Sequence, residues 1–82
     1  MSMGFDFKVE NVIADIGGNG ASRTLLTSTA FGKKPVKMDL RRWQITPDGE
    51  PEIPLKGLSL SRDELIKLRD VLNSMDELKG GD

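Results

Sequence analysis

The sequence predicts an α+β domain: a four-stranded, curved antiparallel sheet followed by one C-terminal helix. Three observations predict it. Up to residue 60 the apolar residues come in short runs of period two, broken by clusters of Gly, Pro, Asn and Asp. Beyond residue 60 a single stripe of helical period follows a capping signal. The chain has 82 residues, 37% of them hydrophobic, enough for one domain (1–82) with one small core spanning about residues 5–79.

Strand one is read from Phe5 to Ile16. Phe5, Phe7 and Val9 alternate with Asp6, Lys8 and Glu10, and the period then slips near Asn11 before Val12, Ile13 and Ile16, which predicts a bulge or bend. Gly17-Gly18-Asn19-Gly20 tolerates positive φ and predicts a hairpin turn. Strand two runs from Arg23 to Phe31, Gly32-Lys33-Lys34-Pro35 turns the chain, and strand three runs from Val36 to Ile45. On strand three Val36, Met38 and Leu40 share one face, and Lys37, Asp39, Arg41 and Trp43 share the other, read as the solvent side. Thr46-Pro47-Asp48-Gly49 suits a type I turn. Pro51 and Pro54 are expected to keep the next few residues out of any sheet interior, and a short fourth strand is read from Lys56 to Leu60. Ser61 and Glu64 form a capping box for a helix from Arg62 to Lys79, ended by Gly80-Gly81. Its stripe of Leu65, Leu68, Leu72 and Met75, widened by Ile66, Val71 and Leu78, exceeds what one small sheet face needs, so a second copy is expected to cover part of it.

A chain this short usually needs a disulfide, a metal or a partner subunit, and this one holds no Cys and no His. Thiol nucleophiles, Ser-His-Asp triads, the usual zinc sites and imidazole acid–base chemistry are excluded with them. No catalytic residue, metal site or cofactor is expected, and the protein is read as a non-enzyme. No apolar run approaches the roughly 20 residues that span a bilayer, so a soluble, cytoplasmic protein is expected, with association to the nucleoid compatible with that reading.

The formal net charge of −1 conceals an uneven distribution. Between Ala21 and Ile45 stand six basic residues, Arg23, Lys33, Lys34, Lys37, Arg41 and Arg42, against the single acid Asp39, a net +5; the rest of the chain carries −6. A segment so charged suits a polyanion. Cations for phosphates and aromatic platforms for bases are the two ingredients of single-strand binding, and the Lys37/Arg41/Trp43 face with Phe31 offers both. The residues alone leave a second reading open, in which Asp39 and Arg41 pair and Trp43 and Phe31 belong to the core. Lys33 and Lys34 either solubilise their turn or touch phosphate, and Gly57, after Lys56, marks either a close backbone approach or a bulge. The Gly17–Gly20 run lacks the Lys-Ser/Thr and the helix start of a phosphate-cradling loop and is read as a turn.

Lys37-Met38-Asp39-Leu40-Arg41-Arg42-Trp43, Pro47-Asp48-Gly49-Glu50 and Lys56-Gly57-Leu58-Ser59-Leu60-Ser61 before a capped helix resemble, in that order, the single-stranded DNA-binding domain of the transcriptional coactivator positive cofactor four. The likeness is strongest to the small bacterial-type members of that family. It implies the single-stranded DNA-binding transcriptional regulator (Whirly-like) fold, a ββββα protomer dimerising through its helices. It also implies binding of single strands with little sequence preference, in transcription, replication or repair. By that resemblance Phe31 and Trp43 are stackers and Arg23, Lys37, Arg41 and Lys56 phosphate partners; the turn lysines Lys33 and Lys34 are added to the candidate nucleic-acid contacts from their own position, and the stripe residues Leu65, Leu68, Leu72 and Met75 are the candidate dimer interface. Gln44 departs from the pattern, standing where eukaryotic members carry a further aromatic. Two alternatives accompany this reading: a dimeric adaptor that binds the transcription machinery without binding strands, and a binder of single-stranded RNA.

Overall fold

The computed structural model describes residues 6–78. Four strands, β1 (Phe7–Asn19), β2 (Ser22–Phe31), β3 (Lys37–Ile45) and β4 (Pro51–Leu60), form one antiparallel sheet in the order β1-β2-β3-β4, followed by helix α1 (Arg62–Ser74) and a 3-10 turn (Asp76–Leu78). The layout is the expected ββββα. Phe5, Lys79, Gly80 and Gly81, which figured in the expected element ends, lie outside the described residues.

Three boundaries differ from expectation, each for a physical reason. Only the last residue of the glycine run turns the chain. Gly17, Gly18 and Asn19 continue β1, and the turn is the two-residue pair Gly20-Ala21 between Asn19 and Ser22. Only its first position has positive φ (Gly20, 54°), the pattern of a type II′ hairpin. Strand β4 begins at Pro51 rather than Lys56, pairing Pro51 with Ile45 and Pro54 with Trp43. Both prolines are tolerated because β4 is an edge strand interrupted by register shifts. Helix α1 stops at Ser74, since Asn73 and Ser74 are weak helix formers and the residues that follow, Asp76 and Glu77, oppose the negative end of the helix dipole.

The helix start and the β3–β4 turn form as expected. Ser61 Oγ accepts from the Glu64 N–H at 3.1 Å while Glu64 Oε1 accepts from the Ser61 N–H at 2.8 Å. Gly49 N–H donates to Thr46 O at 2.8 Å with Gly49 at φ 88°, a type I turn closed by a left-handed glycine. The period slip near Asn11 is a bulge, and two more follow it, between Val12 and Ala14 and between Asp15 and Gly17.

The sheet is curled. Phe7 on edge strand β1 reaches across β2 to Trp43 on β3, ring centroids 5.3 Å apart in edge-to-face geometry, and lies 6.3 Å from Phe31. Inside that curl are Leu25, Trp43 and Pro54 together with the buried polar residues Thr27, Thr29 and Asp39. The face of β3 read as solvent-facing is therefore the interior one: Trp43 and Asp39 have no exposed surface. On the opposite face Leu26, Leu40 and Leu60 line one groove with Leu65 and Leu68 of α1, whose closest strands are β3 and β4. No residue of α1 is fully buried.

Candidate nucleic-acid interface

The turn after β2 builds one wall of a cleft. Lys34 N–H donates to Phe31 O at 3.1 Å and Gly32 N–H to Asp6 O at 2.8 Å, with Gly32 at φ 61°, so the turn is fastened to both β1 and β2 and Lys34 is held beside Phe31. Lys37 opens β3 opposite Thr29. Arg41, two pleats along the same face, completes a cavity of about 210 Å³ lined by Thr29, Phe31, Lys34, Pro35, Lys37, Arg41 and Ser59. Its walls carry three cations and no acid.

Arg41 is the most constrained of these side chains. Its Nε and Nη2 donate to Asp39 Oδ1 (2.6 Å) and Oδ2 (2.9 Å), and its Nη1 donates to Leu55 O (3.0 Å). The guanidinium carbon sits 4.6 Å from the Phe31 ring centroid, a cation–π contact. Ser59 Oγ donates to Asp39 Oδ2 at 2.8 Å, so three hydrogen bonds satisfy the buried carboxylate. Gly57 faces Arg41 across the β3–β4 ladder, and a Cβ there would overlap Arg41 Cα and Cβ. Both readings of Gly57 hold: the backbones approach closely there, and the ladder shifts register between the Arg41–Gly57 and Trp43–Pro54 pairs.

The structure brings Phe31, Lys34, Lys37 and Arg41 together and leaves the other expected residues elsewhere. Trp43 as a stacking platform is corrected: Phe7 covers it, and its Nε1–H is a buried donor without a partner. Arg23 lies at the far end of β2, held by Asp15 through Nε (3.1 Å) and Nη2 (3.0 Å). That contact, above all the hydrogen bond from Arg23, holds the Asp15 carboxyl below its ordinary value, with a further hydrogen bond from the Gly17 N–H. Lys33 is exposed in the turn but does not line the cleft. Lys56 lines a separate, open groove with Thr24, Leu40, Arg41, Arg42 and Leu55.

Sequence reasoning missed Arg42, whose Nε donates to Thr24 Oγ1 at 3.1 Å beside Lys56, and the cleft hydroxyls of Thr29 and Ser59. The signal for Thr29 lay in the strand register, which sets it opposite Lys37. Of the expected interface residues, Leu65, Leu68 and Leu72 line an apolar groove of about 420 Å³ with Ile16, Leu26, Leu40 and Leu60. Met75 is half-buried at the helix end. Among the described residues no group of three or more carboxylates gathers as a metal site, and no helix is long and apolar enough to cross a membrane.

No protein-family model matches the sequence. Over 58 residues the chain is 43% identical to an "Uncharacterized protein" of Treponema pallidum (strain Nichols), an alignment covering 71% of this chain. The chain spans 62% of that relative's length.

Proposed function

We propose that the chain is a homodimeric single-stranded DNA-binding protein with little sequence preference, of the Whirly-like fold, acting in the cytoplasm as a transcription cofactor or a replication or repair accessory. The observation that carries this reading is the cleft at Phe31, where three cations and an aromatic ring share an acid-free wall. Cations along a groove hold phosphates of any sequence, and planar groups stack bases that only an unpaired strand exposes. The second copy is supported by the unfinished apolar face: Val71 and Leu72 on α1 and Ile16 on β1 are exposed beside the groove under the helix.

The test is an anisotropy titration of a fluorescent oligothymidine of about 20 nucleotides at two salt concentrations, with duplex and oligouridine of the same length as competitors. With the charge of Arg41 already paired by Asp39, a strand engaging Lys34 and Lys37 gives a log–log salt slope of about −1.4 and is barely displaced by duplex. Displacement by oligouridine better than by oligothymidine moves the substrate to RNA. Absence of binding at micromolar protein and low salt overturns the proposal. The adaptor reading, favoured by the burial of Trp43, then takes its place, with the acidic residues Asp63, Glu64 and Asp70 of α1 and Asp76 and Glu77 of the turn after it meeting a basic partner.

A further inference from the structure

We infer that Asp39 is a positioning residue for strand binding: it holds the Arg41 guanidinium over the Phe31 ring, so that the part of the guanidinium left open to the cleft is the surface on which an unpaired base stacks. The inference rests on the strand-binding reading above. By charge alone Asp39 opposes a polyanion, so its contribution to binding is one of geometry. Its two oxygens take Nε and Nη2 of Arg41 in a fork at 2.6 and 2.9 Å, Ser59 Oγ braces the carboxylate at 2.8 Å, and Leu55 O takes Nη1 at 3.0 Å. These contacts fix the guanidinium plane at the Phe31 ring, in a side chain still 17% exposed and lining the cleft. An unrestrained arginine would spread over many rotamers. Arginine planes stack on unpaired bases as aromatic rings do, and with Trp43 enclosed this is the planar group that β3 presents to the cleft.

The experiment compares two probes in wild type, Asp39→Asn and Ser59→Ala: oligothymidine of about 20 nucleotides and an abasic phosphodiester strand of equal length. Wild type is expected to prefer the base-bearing strand about tenfold, the worth of one stacked base. Asp39→Asn brings that preference close to unity, weakening oligothymidine while abasic binding holds or tightens, because a negative charge has gone. Ser59→Ala lowers the preference about threefold in the same direction. Equal tightening of both probes by Asp39→Asn, or an unchanged preference, overturns the inference. Should Asp39→Asn lose its far-UV circular dichroism, an unchanged preference in folded Ser59→Ala overturns it instead. Wild type that binds both probes equally overturns the stacking role alone, whereas wild type that binds neither overturns the strand-binding reading together with this one.

Discussion

Replacing Trp43 by Ala separates an enclosed indole from an exposed platform. The residue has no exposed surface and its ring meets the edge of Phe7. An indole buries about 200 Å², worth about 5 kcal/mol at 25 cal/mol/Å² as an upper bound. Loss of the aromatic pair adds about 1 kcal/mol. Against this, truncation also removes the unpartnered Nε1–H, whose burial costs about 1 to 2 kcal/mol. The net loss is about 4 kcal/mol, comparable with the whole stability of many domains of this size. Trp43→Phe keeps a ring against Phe7 and deletes only the orphaned donor and some volume, so it stays within about 1 kcal/mol of wild type. Urea unfolding followed by far-UV circular dichroism at fixed protein concentration reads both variants. A Trp43→Ala protein with an unchanged midpoint and lost oligothymidine affinity would refute the reasoning and restore Trp43 as a stacker.

Gly57→Ala forces a methyl into the backbone of Arg41, and a loss of about 1 to 3 kcal/mol is expected in the same urea assay, with backbone amide shifts concentrated on β3 and β4. Ser61→Ala removes the helix cap and lowers stability by about 1 kcal/mol. Leu72→Asp, at a residue 43% exposed on α1, is expected to leave the circular dichroism intact and to convert the proposed dimer to monomer in light scattering; a wild type that is already monomeric refutes the proposed dimer. An NMR titration is expected to find the Asp15 carboxyl below its ordinary value of 3.8, because the Arg23 hydrogen bond favours its charged form. A depressed folded-state pKa means that this contribution to stability is fully present above 3.8 and is lost as pH falls through the folded value. Arg23→Gln returns the titration toward the ordinary value and removes that dependence.

The strands, two of the turns and the helix start were legible because each rests on local chemistry: alternation, Pro47 and Gly49 in a type I turn, and Ser61 with Glu64 in a capping box. Which face of β3 points inward was not. Hydropathy assigns Met38 and Leu40 to the interior, yet the interior of the curl holds Asp39 and Thr27, neutralised by Arg41 and by a 2.6 Å hydroxyl pair with Thr29. Polar residues that satisfy one another read as surface until their partners are known. The curl that encloses Trp43 brings Phe7 across β2, and of the three bulges in β1 only the first breaks the sequence period. The cleft was half legible: Lys37, Arg41 and Phe31 stand out by type, whereas Ser59 enters through pairing with Asp39 across the β3–β4 ladder.

The two open margins of the sheet bear on how copies of this chain can meet. Strand β1 is 13 residues long and shows Val12, Ile13 and Ile16 to solvent, the description of a template for runaway strand addition. Its bulges fall about every three residues, so an incoming strand would lose step with the ladder after each short stretch of pairing. The opposite margin, β4, withholds two amide donors at Pro51 and Pro54. Both margins thus work against a growing filament, and the proposed pairing through the helical face would be a two-fold contact that closes on itself and stops at two.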